Sequence, residues 1–133
     1  MIVFDDGIIG FPDLKHFTLI KDSEKKDTTI MWLQSVEEPA MALTVIDPTI
    51  ILETYDPEVA EDMVQTLGEL NVENTFVLTT ITVPHDITKM SLNLKAPIII
   101  NTDTNKACQV ILEGEYQVKY AIYDLLKQAK DRK

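Results

Sequence analysis

Two histidines and a single cysteine, with one His-Asp and one Glu-Glu pair, are the groups in this 133-residue chain whose types suit acid-base, nucleophilic or metal chemistry. His85-Asp86 has the make-up of a general base and its orienting carboxylate, and Cys108 that of a nucleophile. Their spacing assembles neither. His16, beside Phe17, and His85 have no second histidine at metal-ligand spacing. Cys108 stands in an alternating apolar stretch next to Ala107 and reads as a small buried hydrophobe. Glu37 and Glu38 would point to opposite faces of a strand, and Pro39 after them makes a turn the better reading. Gly7-Ile-Ile-Gly10 lacks the third glycine of a dinucleotide loop, and no Lys-Ser/Thr pair follows it. No base, nucleophile and orienter stand together, which argues against an enzyme. Soft ligands this sparse predict no metal or cofactor.

The charge pattern is more informative. The chain holds 22 Asp and Glu against 12 Lys and Arg, for a formal net charge of −10. The imbalance is confined to the middle. Twelve carboxylates run from Asp27 to Asp86, and no Lys or Arg occurs between Lys26 and Lys89. This balance disfavours direct contact with nucleic acid or an anionic membrane, both of which call for clustered cations. A block of one sign attracts a cationic partner and speeds its arrival. The same block also makes a solvated face. One cysteine excludes an intrachain disulfide framework. The opening Met1-Ile-Val-Phe-Asp-Asp has no basic region ahead of an apolar run, and no stretch reaches the length of a membrane span. A cytoplasmic protein is expected.

The elements that would carry these groups are mostly strands. Ile30 to Val36 and Ala40 to Ile46 flank Glu37-Glu38-Pro39 as a hairpin. Ile50 to Tyr55 is β-rich and reads as extended. Phe76 to Val83 alternates with threonines, and Met90, Leu92 and Leu94 alternate with Ser91 and Asn93. Ile98 to Asn101 and Ala107 to Leu112 flank a five-residue polar loop. Tyr116, Val118 and Tyr120 alternate again. Trp32, in the first of these hairpins, is expected in the core. Two stretches have helical period: Glu58 to Leu67, stopped by Gly68, and Ile122 to Lys130. Eight or nine strands in one domain spanning 1–133 must curl to bury a face. The predicted fold is mainly β, a small antiparallel β-barrel-like structure with a short middle helix and a C-terminal helix.

Gly7-Ile-Ile-Gly10-Phe11-Pro12, Trp32-Leu33-Gln34-Ser35, Asp47-Pro48 and, most specifically, Asn93-Leu94-Lys95-Ala96-Pro97-Ile98-Ile99-Ile100-Asn101 stand in the order seen in the flagellar assembly factor FliW family. Gln109 and Tyr116 fall where that family usually has Gln and Tyr. The chain resembles the family over nearly its whole length, departing mildly at Ser91, where Thr is common, and at Pro57. The resemblance implies a small β-barrel-like fold and a non-catalytic bacterial regulator. Such proteins bind flagellin before its export and bind CsrA, an RNA-binding translational repressor. When flagellin leaves the cell, the freed protein captures CsrA and repression of flagellin messenger RNA is lifted.

A reader of RNA presents a basic surface. The acidic block is therefore expected to approach CsrA through Glu58, Glu61, Asp62, Glu69 and Glu73, with Asn101 beside them in the specific block. No self-association is called for, and a monomer is expected when free. The rival reading is a small β-barrel ligand-binding protein or enzyme that uses His85 and Asp86 at a barrel mouth. A third is a structural subunit of a larger assembly.

Overall fold

The computed structural model describes residues 1–21, 30–52, 54–55, 59, 62, 64–125 and 127. Within them run nine strands: β1 (Ile2–Phe4), β2 (His16–Lys21), β3 (Ile30–Ser35), β4 (Ala42–Ile46), β5 (Thr75–Thr82), β6 (Ser91–Leu92), β7 (Ile98–Asn101), β8 (Lys106–Gln109) and β9 (Tyr120–Ala121). Seven of them close into a barrel in the order β1-β2-β3-β4-β5-β7-β8, with β8 returning to β1. β6 and β9 continue from the far end of β5 as a short extension.

The mainly β, barrel-like expectation holds, and its antiparallel pairing is interrupted at one seam. β1 and β8 run parallel, with Val3 opposite Lys106 and Phe4 opposite Ala107. The reason is parity. Strands that alternate direction around a closed ring need an even number, so a ring of seven leaves at least one parallel pair.

Period-two alternation sets the inside. In β3, Met31, Leu33 and Ser35 are buried, and Leu33 lies opposite Leu19 and Leu43. Trp32, expected in the core, is half-buried on the other face, between Ile20 and Thr44. The interior is filled by Phe4, Phe17, Leu33, Val45, Leu78 and Ile98 among others. Phe4 and Phe17 meet edge to face, with ring centroids 5.2 Å apart. A second cluster, around Ile46, Leu92 and Ile122, lies under β6 and β9. A third forms outside the barrel wall around Leu67, Ile99, Val110 and Leu112. β7 is buried at all four residues because its two faces serve two cores. Ile98 and Ile100 face the barrel, and Ile99 faces the outer cluster. A strand covered on both sides reads as an unbroken apolar run, as Ile98-Ile99-Ile100 does.

Several elements differ from expectation. The described residues of Ile50 to Tyr55, which exclude Glu53, form no strand. Asp47 caps a 3-10 turn, Pro48–Ile50, by accepting from Thr49 N at 2.9 Å, with Pro48 in the first turn where a missing N–H costs nothing. Met90 to Leu94 shortens to β6, because Asn93 Oδ1 accepts from the Lys95 and Ala96 amides and turns the chain. Of Tyr116 to Tyr120, only the last residue enters a strand. The described part of the expected Glu58–Leu67 helix contains the 3-10 turn Gln65–Leu67, after which Gly68 takes φ 85°. Glu58, Ala60, Glu61 and Met63 lie outside the described residues. Residues 123–125 and 127 are helical, and 126 and 128–130 of the expected last helix lie outside the described set.

Candidate partner-binding surface

The segment after Gly68 is pinned to the barrel by buried amides. Asn101, the last residue of β7, donates from Nδ2 to Leu67 O at 2.7 Å. Its Oδ1 accepts from the Asp103 and Thr104 amides at 2.9 and 3.3 Å. Asn74, also buried, donates to Glu69 O at 2.9 Å and to Asp103 Oδ2 at 3.2 Å. Asn74 Oδ1 accepts from Asn71 N, and Asn71 Oδ1 accepts from Glu73 N and Asn74 N. Buried polar groups need partners; the Asn101–Leu67 and Asn74–Asp103 bonds fix distant segments against each other, and the others hold turns in shape.

This scaffold sorts the expected contact residues. Asp62, Glu69 and Glu73 are exposed. Asn101 is 1% exposed, so it is corrected from contact residue to anchor, with its amide spent inside the protein. Glu58 and Glu61 lie outside the described residues.

Between these loops and the barrel wall lies an open groove of about 610 Å³ that sequence reasoning did not find. Val77 on β5 and Ile99 on β7, direct partners across the two strands, line it. Val64, Leu70, Val72 and Thr49 complete much of the rest. Val72 is 96% exposed in a turn held by the Asn71 side chain. A lone valine between Asn71 and Glu73, in a polar stretch, is the one signal in the sequence that marks the place. Tyr55 also borders the groove, donates to Leu94 O at 2.7 Å and packs edge to face on Tyr116. Burial, with Tyr116 beside it, pushes its hydroxyl up to about 12, so it remains a donor.

The groups with catalytic potential lie elsewhere. His85 and Asp86 are exposed after β5, and Asp86 caps the 3-10 turn Ile87–Lys89 through Thr88 N. The apolar packing of the barrel interior is not a polar mouth around His85. His16 Nδ1 is 2.8 Å from Glu37 Oε2, and the same carboxylate accepts from the Lys15 and His16 amides. The His16 hydrogen bond is the main force drawing Glu37 down to about 2. Burial pushes the Cys108 thiol up to about 11, with Asp6 adding to the shift, away from a reactive thiolate. Among the described residues no three His, Cys, Asp or Glu side chains gather as a metal site. No helix among them is long and apolar enough to cross a membrane.

The motif residues mostly build the fold. Gln109 Oε1 accepts from Ile9 N at 3.0 Å, and its Nε2 donates to Ala96 O at 3.1 Å, tying the Gly7–Pro12 loop to the segment before β7. Lys95 Nζ donates to Gly114 O.

The FliW protein family model matches residues 1–122. The flagellar assembly factor FliW of Lachnospira eligens is 48% identical over 98% of this chain and 89% of its own length. That of Lachnoclostridium phytofermentans is 42% identical over 93% of this chain and 81% of its own. A crystal structure of the flagellar assembly factor FliW superposes with a TM-score of 0.83 at 28% identity, covering 92% of this chain and 84% of that one. Barrel, motif order and relatives agree: this chain belongs to the FliW family.

Proposed function

We infer that the protein is a non-enzymatic flagellar assembly regulator in the cytoplasm, which binds flagellin and, once flagellin is exported, captures CsrA and so relieves repression of flagellin translation. Membership in a family whose relatives are named flagellar assembly factors carries the reading. The acidic middle segment supports it, since Asp62, Glu69 and Glu73 are exposed and no Lys or Arg lies between residues 27 and 88 to offset them. An RNA-binding partner brings cations to such a surface. The reading needs no metal, cofactor or second copy of the chain. Pull-down of purified flagellin and purified CsrA by the immobilised protein tests it. Saturable retention of both is expected, and retention of neither overturns it.

A further inference from the structure

We propose that the groove between Val72 and the β5–β7 wall is a peptide-docking site for a cationic amphipathic segment of a partner protein, seating aliphatic side chains over Val77 and Ile99 while its Lys or Arg residues meet the exposed carboxylates Asp62, Glu69 and Glu73. Three observations converge on it. The walls are apolar where strands β5 and β7 pair, and the space is an open groove with room for a few aliphatic side chains. Val72 stands almost fully exposed at its edge, and the turn carrying it is fixed by Asn71, Asn74 and Thr75. An apolar side chain held out by a stiff turn has little ordering cost left to meet on binding. The third is charge. Asp62, Glu69 and Glu73 are exposed in the same part of the chain, and among the described residues every lining residue but Ile99 comes from the stretch without a base. Glu69 and Glu73 directly adjoin the lining residues Leu70 and Val72 in sequence, and an apolar groove with exposed acids next to its lining fits an amphipathic helix of the opposite sign.

The groove's role as a peptide site rests on the partner-binding reading, and the assay uses neither flagellin nor CsrA, so the two can fail separately. The probe is a fluorescein-labelled synthetic peptide of Leu and Lys, about 18 residues long, with Leu at i, i+3, i+4 and i+7. Its anisotropy is followed against the wild-type protein, Val72→Arg and Ile20→Arg. Ile20 is exposed on β2, across the barrel from β5 and β7, so both variants add the same charge at opposite places. Val72→Arg is expected to weaken binding by about tenfold, as loss of an anchor position does, and Ile20→Arg by less than about twofold. A matching Leu and Glu peptide is expected not to bind. Binding by the Lys peptide is expected to weaken but persist in high salt, because the apolar seat is not screened. Nuclear magnetic resonance shifts on the bound protein are expected to centre on Val77 and Ile99. Equal losses in the two variants would mean attraction to net charge alone and overturn the site, as would no binding or shifts elsewhere. Concentration-dependent dimerisation abolished by Val72→Arg would make a second copy the occupant and also overturn it. Peptide binding without capture of flagellin or CsrA would remove the regulatory reading and leave the groove.

Discussion

Asn101 Nδ2 donates to the Leu67 carbonyl at 2.7 Å across 34 residues of sequence, with both residues 1% exposed. This bond joins the last residue of β7 to the 3-10 turn that leads into the exposed Glu69 and Glu73, so the barrel wall positions that segment. Asn101→Ala is expected to lower stability by about 2 kcal/mol, because it deprives the Leu67 carbonyl and the Asp103 and Thr104 amides of a buried partner. Asn101→Asp is expected to cost more, since a carboxylate cannot donate to Leu67 O. Urea denaturation of the three proteins checks both.

Glu37 gives a pH dependence with a definite sign. Its carboxyl is drawn from 4.5 to about 2, chiefly by His16. A lowered value in the folded state stabilises the fold above the unfolded value of 4.5, and that contribution is lost as pH falls toward about 2. The wild type is expected to melt higher than Glu37→Gln at neutral pH, with the gap closing between pH 4.5 and about 2. Thermal melts across that range measure it, and a constant gap would contradict the role given to Glu37.

Gly7 and Gly10 both have positive φ, at 70° and 86°, yet should respond unequally to alanine. A Cβ on Gly7 would lie 2.5 Å from Pro12 O and 2.6 Å from Phe11 O, which are backbone atoms with little freedom to yield. A Cβ on Gly10 meets nothing within 4 Å. Gly10→Ala is expected to cost about 1 kcal/mol for the left-handed conformation alone. Gly7→Ala is expected to cost clearly more, about 3 kcal/mol, as the loop must also shift. Chemical denaturation separates the two.

Much of the barrel was legible because its signals are local. The Glu37-Glu38-Pro39 hairpin, the threonine alternation of β5 and the polar loop between β7 and β8 each lie within a few residues of the strands they define. The parallel β1–β8 seam was not legible, because it follows from the number of strands in the ring. Alternation showed that Trp32 and Leu33 face opposite ways, and the closure of the barrel decided which way is in. Ile50 to Tyr55 has the residues of a strand, but Asp47-Pro48 starts a 3-10 turn before it can extend. Asn101 was expected at the partner surface because its bonding partner, Leu67, is remote in sequence. The groove escaped for the same reason, being assembled from β5, β7 and residues spread along the connection from β4 to β5.

The acidic segment should act on association rate. Reversing Glu61 and Asp62 to Lys is expected to slow CsrA association at low salt by a modest factor while leaving the fold intact, and the difference should fade as salt shortens the Debye length to about 8 Å and below. Flagellin binding should change less. Stopped-flow association across a salt series reads this directly, and an unchanged low-salt rate would remove these two residues from the approach surface.

The proposed exchange of partners is most directly tested by titration calorimetry of CsrA into the protein, first free and then saturated with flagellin. Saturable binding to the free protein, lost or greatly weakened by flagellin, is the predicted result. No binding to the free protein, or equal binding in both states, would contradict the account.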